Sequence, residues 1–390
     1  MIKKSIKVLI FIAVLFFVWH LFIVRNVPDD SLERTRITRE EKESRNTVKI
    51  GVILPLTGQN SAQGEFAKLG IGIAVQDINS KGGINGKQIE VALEDSQGSP
   101  DIAKEILNKF IREKEIDIII GGHTEEEAIA LSPIAQENKI LLINTMASSR
   151  KLDDVGDYVF KMHESLIPHA KEAAKAVFDS GNKYTAIVTA ENDYCSELTD
   201  LLHSELPSLG ISIISEEKFS IVTADFNDLI NRLNEKDFDS LYICGHSEDA
   251  GSFVLQAKEA GITKPMYSSE IIQSRKFAEA SKGEADGIIY TGSRINCGDQ
   301  GSSADLLCSL YIQKYSDEIS YDTAYAYDSI MMLIHAVEVF GPYIDDLKQG
   351  LINIEFDGAT GKTVFDQYGN AKKEVILKTL KDGEFIEYEK

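Results

Sequence analysis

The sequence is poor in positive charge. Lysine and arginine together number 41 against 62 aspartate and glutamate residues, so the formal net charge is −21 at pH 7. Nucleic acids and anionic lipids bind basic surfaces, and neither is therefore expected as a partner. The remaining composition is ordinary, since 43% of the residues are hydrophobic and 26% are charged. A chain of 390 residues is long enough for two domains of usual size.

The motifs of the common enzyme classes are also missing. The sequence contains no G-x-S-x-G elbow, no P-loop, no H-E-x-x-H pair and no cysteine and histidine spacing that is typical of a metal site. Its seven histidines are scattered along the chain. We therefore expect a protein that is not an enzyme and that uses no cofactor and no metal ion.

Cysteine is scarce, and the four that occur are Cys195, Cys244, Cys297 and Cys308. An exported domain permits disulfides, and Cys297 with Cys308 would close a short loop. Buried free thiols are the alternative interpretation, because unpaired cysteine behaves as a small apolar residue.

The N-terminal segment, residues 1–25, is the most apolar part of the chain. Three lysines precede an uncharged run over 8–24, and Arg25 follows it. No small-x-small cleavage site and no lipid-attachment cysteine accompany this run. We therefore predict an uncleaved signal anchor over 1–25, a single membrane pass that leaves the rest of the chain outside the cytoplasm. A cleaved signal peptide and a soluble periplasmic protein are the alternative. Residues 26–46 are predicted to form a charged linker.

Apolar strands alternate with helical patterns from residue 48 onward. The β-branched run over 48–54 predicts a strand, and a polar loop follows over 55–64. A helical apolar period begins at Glu65 and ends at Gly82, and a second strand is predicted over 88–94. This βαβ unit places its polar loop beyond the carboxyl end of the first strand, where open parallel sheets bind ligands.

The same stretch resembles the opening of the type I periplasmic binding proteins. The resemblance rests on V-x-I-G-V-I-L-P-L-T-G from residue 48, on Gly70, and on D-I-N-x-x-G-G-I-x-G-K from residue 77. The leucine/isoleucine/valine-binding branch, which serves amino-acid ABC importers, is the most similar. The resemblance extends to the C-terminus and implies an α/β fold, in which two doubly wound parallel-sheet lobes are joined by a three-strand hinge that closes over ligand.

The resemblance also predicts how the chain divides between the two lobes. The first lobe should comprise 47–163 and 293–353, and the second lobe should comprise 164–292 and 354–390. The chain would then cross between the lobes three times.

In the first lobe, the resemblance places ligand contacts on the loop over 121–127. Relatives bind a ligand carboxylate here with a serine and with backbone N–H groups at a helix start. In this sequence the position falls on Glu125 or Glu126, and Thr124 of the same loop is also predicted to contact the ligand. One interpretation is that both acids face solvent at a helix N-terminus, where negative charge is favourable. The other is that one of them enters the cleft and changes the ligand.

Two further first-lobe positions follow from the resemblance. Ser148 corresponds to a hydroxyl that grips the ligand in relatives, with Ser149 as the second choice. Capping of the next turn is the alternative role for these serines. Gln63 stands where the branched-chain binders have an aromatic residue at the cleft mouth, so a more polar pocket is expected.

The second lobe contributes three candidate ligand contacts. Tyr194 corresponds to a tyrosine that faces the ligand, although Cys195 replaces the glycine that usually follows it. His246 stands where relatives have an aromatic residue. Glu270 corresponds to the acid that pairs with the α-ammonium group of the ligand, a role that suits a carboxylate at a strand end.

These residues predict a solute-binding protein outside the cytoplasm. It should close its lobes over a small polar ligand, an amino acid or a related amine or amide, and deliver it to ABC permease subunits. A ligand-sensing ectodomain that acts through a partner receptor is the alternative. Because acids replace neutral donors, we do not expect leucine, isoleucine or valine as the ligand.

Overall fold

The computed structural model describes residues 46–389 with short gaps at 114–115, 221–222, 296, 298–302 and 316–318. The predicted signal anchor and the linker up to residue 45 lie outside the described residues. Within the described residues, no helix is both long and apolar enough to cross a membrane. The anchor therefore stays a prediction.

The first lobe is built on a five-stranded sheet. Its strands are β1 (Thr47–Leu54), β2 (Gln88–Asp95), β3 (Ile118–Gly121), β4 (Leu141–Asn144) and β5 (Val159–Lys161). The connecting helices are α1 (Ser61–Ser80), α2 (Pro100–Glu113) and α3 (Glu125–Asn138). The strand order is β2-β1-β3-β4-β5, and the pairs β1-β3, β3-β4 and β4-β5 are parallel. This is the doubly wound arrangement that the βα alternation predicts.

The apolar run in β3 shows why such strands read as continuously hydrophobic. Successive side chains of a strand point to opposite faces of the sheet. Ile118 and Ile120 accordingly join one core cluster, and Ile119 joins the cluster on the other face. All three are buried, because helices cover both faces of a parallel sheet.

The second lobe is built on a seven-stranded sheet. Five of its strands are β6 (Tyr184–Ala190), β7 (Ser212–Phe219), β8 (Ser240–Cys244), β9 (Met266–Ser269) and β10 (Ile289–Ser293). Its helices are α4 (Leu166–Asp179), α5 (Asp193–Ser208), α6 (Asn227–Asn234), α7 (Ser247–Glu259) and α8 (Arg275–Ser281). The five strands pair in parallel in the order β10-β9-β8-β6-β7.

Three helices return to the first lobe after β10. They are α9 (Ser303–Tyr315), α10 (Tyr321–Phe340) and α11 (Ile344–Asn353). Helix α10 packs closely on α1, and a Cβ atom at Gly70 would lie 2.1 Å from the carbonyl oxygen of Thr323. Only glycine permits that approach, which gives Gly70 of the sequence motif a structural reason.

The C-terminal strands divide between the two lobes. They are β11 (Glu355–Gly358), β12 (Gly361–Phe365), β13 (Ala371–Lys372), β14 (Val375–Lys381) and β15 (Glu384–Glu387). The sheet of β11, β12 and β13 contributes Phe356, Phe365 and Ala371 to the first-lobe core. Strands β14 and β15 add to the second sheet beside β10 in antiparallel pairing. The tail predicted from 354 onward for the second lobe is thus split, and only its end lies there.

The four cysteines form two disulfides. One joins Cys195 to Cys244 and the other joins Cys297 to Cys308. Cys195 lies in the first turn of α5 and Cys244 ends β8, and both are fully buried. The interpretation as free thiols is therefore wrong, and the second lobe is crosslinked directly beneath two of its strand-end loops.

Candidate functional site

The loop after β4 brings the two lobes into contact. Ser149 donates a hydrogen bond from its Oγ to Glu197 Oε2 at 3.1 Å, and the backbone N–H of Arg150 donates to Glu197 Oε1 at 3.0 Å. Lys151 Nζ lies 3.0 Å from Asp193 Oδ2. Glu197 and Asp193 both belong to α5 of the second lobe. These contacts join the loop after β4 to the second lobe.

Glu125 turns its carboxylate into the same loop. Its Oε1 accepts hydrogen bonds from the backbone N–H of Ser148 at 2.7 Å, from Ser148 Oγ at 3.0 Å and from the backbone N–H of Ser149 at 3.2 Å. Burial raises the pKa of Glu125, although the N–H donors of both serines favour its ionised form. We call this set of donors the carboxylate cradle.

The start of α3 explains why Glu125, and not Glu126, turns inward. Thr124 caps the helix and accepts from the backbone N–H of Glu127 at 3.3 Å, and the Glu127 side chain accepts from the backbone N–H of Thr124. This capping box fixes the first turn. Glu126 is then exposed, whereas Glu125 is only partly accessible. The interpretation that these acids face solvent therefore holds for Glu126 alone.

Replacing Thr124 by alanine should destabilise the protein by ~1 kcal/mol, because α3 loses its N-cap acceptor. Denaturant unfolding monitored by circular dichroism measures this change. Thr263→Ala is the matched control, since Thr263 is exposed and lies outside the helices. An equal loss of stability in the two variants would contradict a capping role for Thr124.

The two candidate serines have different roles in this state. Ser148 gives both its N–H and its hydroxyl to the Glu125 carboxylate. Ser149 caps a short 3-10 helix over Arg150–Leu152, accepting from the backbone N–H of Lys151 at 3.2 Å. The capping alternative therefore holds for Ser149, which also contacts Glu197 across the cleft.

The remaining candidates are spread over both lobes. Gln63 lies in the first turn of α1, and its Oε1 is buried without a hydrogen-bond partner among the described residues. Tyr194 donates from its hydroxyl to Ser269 Oγ at 3.2 Å, and burial raises its pKa well above the usual value. His246 is exposed at the start of α7.

Glu270 is the most buried of the predicted ligand contacts on the second lobe. It directly follows β9, and only 6% of its surface is exposed. Its Oε1 lies 2.7 Å from His163 Nε2, and its Oε2 accepts from the backbone N–H of Ser293 at 3.3 Å. In this state the negative charge of Glu270 therefore faces an imidazole of the protein itself.

Sequence reasoning missed the residues around Glu270. His163 and Glu164 form the first crossing between the lobes, and His169 lies on α4. His169 Nε2 lies 3.1 Å from Glu164 Oε1. The available signal was a histidine and a glutamate in succession, both polar, at a predicted crossing that follows an apolar strand. Their proximity to Glu270, however, arises only in the fold.

Comparison with known proteins supports the architecture over most of the chain. Residues 47–384 match the family described as periplasmic binding protein. The chain is similar to the Leu/Ile/Val-binding protein BraC3 of Rhizobium johnstonii, with 26% identity over 333 residues that cover 83% of this chain and 88% of that protein. It is also similar to the leucine-, isoleucine-, valine-, threonine-, and alanine-binding protein of Pseudomonas aeruginosa, with 22% identity over 330 residues covering 84% and 88% of the two chains.

Solved structures share the same fold. The branched-chain amino acid transporter substrate binding protein LivJ from Streptococcus pneumoniae, in complex with isoleucine, superposes with a TM-score of 0.78 at 25% identity, covering 87% of this chain and 97% of that one. A solute binding protein of an ABC transporter from R. palustris, in complex with benzoate, gives a TM-score of 0.76 at 18% identity, covering 87% and 95%. An identity of 18% shows a shared fold alone. The isoleucine and the benzoate bound in these two structures differ in chemistry.

Proposed function

Because the chain belongs to the periplasmic binding protein family, we propose that it is a solute-binding protein outside the cytoplasm, which closes its lobes over a small polar ligand and delivers it to an ABC importer. The family that the sequence motifs predict is confirmed. The prediction of a binding protein instead of an enzyme is confirmed as well, since the relatives are named as binding proteins.

One observation supports a ligand that differs from a branched-chain amino acid. Two backbone N–H groups and a hydroxyl converge in the carboxylate cradle, and the Glu125 carboxylate accepts from all three. Such convergent donors are the usual means of holding a carboxylate. While Glu125 fills the cradle, the carboxylate of a ligand has no donors there. The ligand class that suits this cleft is therefore an amine or amide without a free carboxylate at that end.

The charges that face the cleft agree with this ligand class. Glu125 and Glu270 each contribute a carboxylate, one from each lobe, and Tyr194 offers a hydroxyl. We propose that Glu270 pairs with a positively charged group of the ligand, in place of its contact with His163. Ser148 and Ser149 would then act indirectly, by holding Glu125. Gln63 and His246 would line the polar entrance.

A thermal-shift screen of the full chain tests this function. Ligand that binds only the native state raises its stability by ~2.7 kcal/mol at a hundredfold excess over Kd. We expect shifts with amines, polyamines or amidated amino acids, and none with leucine, isoleucine or valine. Shifts confined to amino acids with free carboxylates would contradict the proposed ligand class. Uptake of the hit compound by cells with and without the gene then separates transport from the alternative, a sensing ectodomain.

Replacing Glu197 by glutamine should weaken ligand binding by less than about tenfold. Glu197 contacts Ser149 and Arg150 across the cleft, so its loss destabilises the closed form relative to the open form. Glutamine keeps an acceptor oxygen and loses only the charge, and a charge interaction near the surface is worth ~0.2–1 kcal/mol in total. Titration calorimetry with the hit compound measures the affinity. Asp200→Asn, an exposed change on the same helix, is the control, and equal affinities for both variants would remove Glu197 from closure.

A further inference from the structure

Two carboxylates and two imidazoles meet at the first crossing between the lobes. One ligand atom each from Glu164, His169 and Glu270 lies within 4.8 Å of the others. His163 Nε2 joins them at 2.7 Å from Glu270 Oε1. None of the four residues is more than 6% exposed. We call these four residues the hinge cluster.

The spacing within the hinge cluster fits a single metal ion. Tetrahedral Zn²⁺ holds nitrogen and oxygen ligands at ~2.0–2.2 Å, which places neighbouring ligand atoms about 3.3–3.5 Å apart. His169 Nε2 lies 3.1 Å from Glu164 Oε1 and 3.6 Å from Glu270 Oε1. These two distances lie on either side of the expected value, whereas the 2.7 Å between His163 Nε2 and Glu270 Oε1 is shorter, so these two side chains would move apart to hold the ion.

The orientation of both imidazoles also matches metal ligation. His163 Nδ1 lies 2.9 Å from the backbone carbonyl oxygen of Glu164, so this nitrogen carries the hydrogen. His169 Nδ1 lies 3.2 Å from Thr291 Oγ1. Metal-binding histidines commonly have their second ring nitrogen held by an oxygen in this way. Both Nε2 atoms are then directed at the carboxylates.

The carboxylates are oriented by further hydrogen bonds. Glu164 Oε2 accepts from Tyr325 OH at 2.7 Å, and its Oε1 accepts from Ser293 Oγ. Glu270 Oε2 accepts from the backbone N–H of Ser293, whereas its buried Oε1 accepts no well-oriented hydrogen bond from the described residues, despite the short contact with His163. The contact of that oxygen with His163 is an ion pair when the imidazole is protonated, and a metal ion would take the place of the proton on Nε2.

We propose that the hinge cluster binds one Zn²⁺ ion through His163 Nε2, His169 Nε2, Glu164 Oε1 and Glu270 Oε1. Two imidazoles and two carboxylates suit Zn²⁺ among the divalent ions, and the ion neutralises two buried negative charges. It joins the crossing segment to α4 and to the end of β9. The site is separate from the carboxylate cradle, and it shares only Glu270 with the proposed ligand contacts. Zn²⁺ and a ligand ammonium group would therefore compete.

Calorimetric titration of the full chain with Zn²⁺, after treatment with EDTA, tests this site. We expect one ion per chain, and a visible spectrum of four-coordinate Co²⁺ when Co²⁺ replaces Zn²⁺. Glu164→Gln and His169→Gln should each weaken Zn²⁺ binding by at least ~100-fold, since each removes or impairs one ligand. His203→Gln is the matched control, because His203 Nε2 forms a similar pair with Glu216 at 2.6 Å on the surface.

Absence of Zn²⁺ binding by the unmodified chain, or a Co²⁺ spectrum of a six-coordinate ion, would overturn the proposal. So would binding by His169→Gln that equals binding by His203→Gln. Thermal melting without metal identifies any variant that fails to fold. In that case the coordination number read from the Co²⁺ spectrum of the unmodified chain tests the site. Failure of the amine screen leaves the Zn²⁺ titration unaffected, so this inference and the proposed function can fail separately.

Discussion

Replacing both Cys195 and Cys244 by alanine is expected to lower the free energy of unfolding by ~4 kcal/mol. The disulfide joins residues 49 apart in the chain, and the entropy lost by closing a loop of that length in the unfolded state corresponds to about this value. Guanidinium unfolding monitored by circular dichroism measures the difference, which is a large fraction of the stability of a typical domain.

The second disulfide provides the control for this experiment. Cys297 and Cys308 are separated by only 11 residues, so the same argument gives ~3 kcal/mol for their replacement. Removal of the disulfide that closes the longer loop should therefore lower the free energy of unfolding by more. A smaller effect for the Cys195 and Cys244 pair than for the Cys297 and Cys308 pair would contradict the loop-entropy explanation.

The Cys195–Cys244 disulfide also explains a departure that the sequence left unresolved. Cys195 replaces the glycine that usually follows the tyrosine corresponding to Tyr194 in relatives. In the structure Asn192 caps α5 and accepts from the backbone N–H of Cys195 at 2.8 Å. The crosslink then ties this turn to the end of β8, just before His246. The turn is therefore fixed by a cap and a covalent bond.

The local sequence pattern was sufficient to predict most of the strands and helices. The apolar runs and helical periods predict the alternating strands and helices, because each element must bury a face. The division of the C-terminal strands between the two lobes could not be predicted in this way. Strand β11 has only four residues, and the attachment of its sheet to the first lobe depends on Phe356, together with Phe365 of β12, packing in a core that other segments build.

The site was less predictable than the fold. Adjacent residues such as Glu125 and Glu126 differ by about 100° around a helix, and only the capping box at Thr124 decides which one faces the cradle. Glu270 lies far along the chain from His163 and His169, so no spacing in the sequence reveals its proximity to them. The pairing of Cys195 with Cys244 was hidden for the same reason.

Replacing Glu125 by serine is expected to create leucine binding in this cleft. An ionised glutamate within roughly 4 Å of a ligand carboxylate repels it by ~4 kcal/mol at an effective dielectric constant of 20, which is about three decades of affinity. The substitution removes that repulsion and frees the N–H groups of Ser148 and Ser149, which Glu125 occupies in the unmodified protein. Binding of cationic amines should fall at the same time.

Titration calorimetry with leucine and with its amide measures both changes. Glu126→Ser is the matched control, because Glu126 neighbours Glu125 in the same helical turn but is exposed to solvent. Its affinities should equal those of the unmodified protein, since a solvated charge contacts no ligand and is screened by water. The cradle would have no part in ligand selection if the unmodified protein bound leucine at micromolar concentration and Glu125→Ser left that affinity unchanged. In that case the Glu125 carboxylate would serve only to anchor the loop after β4.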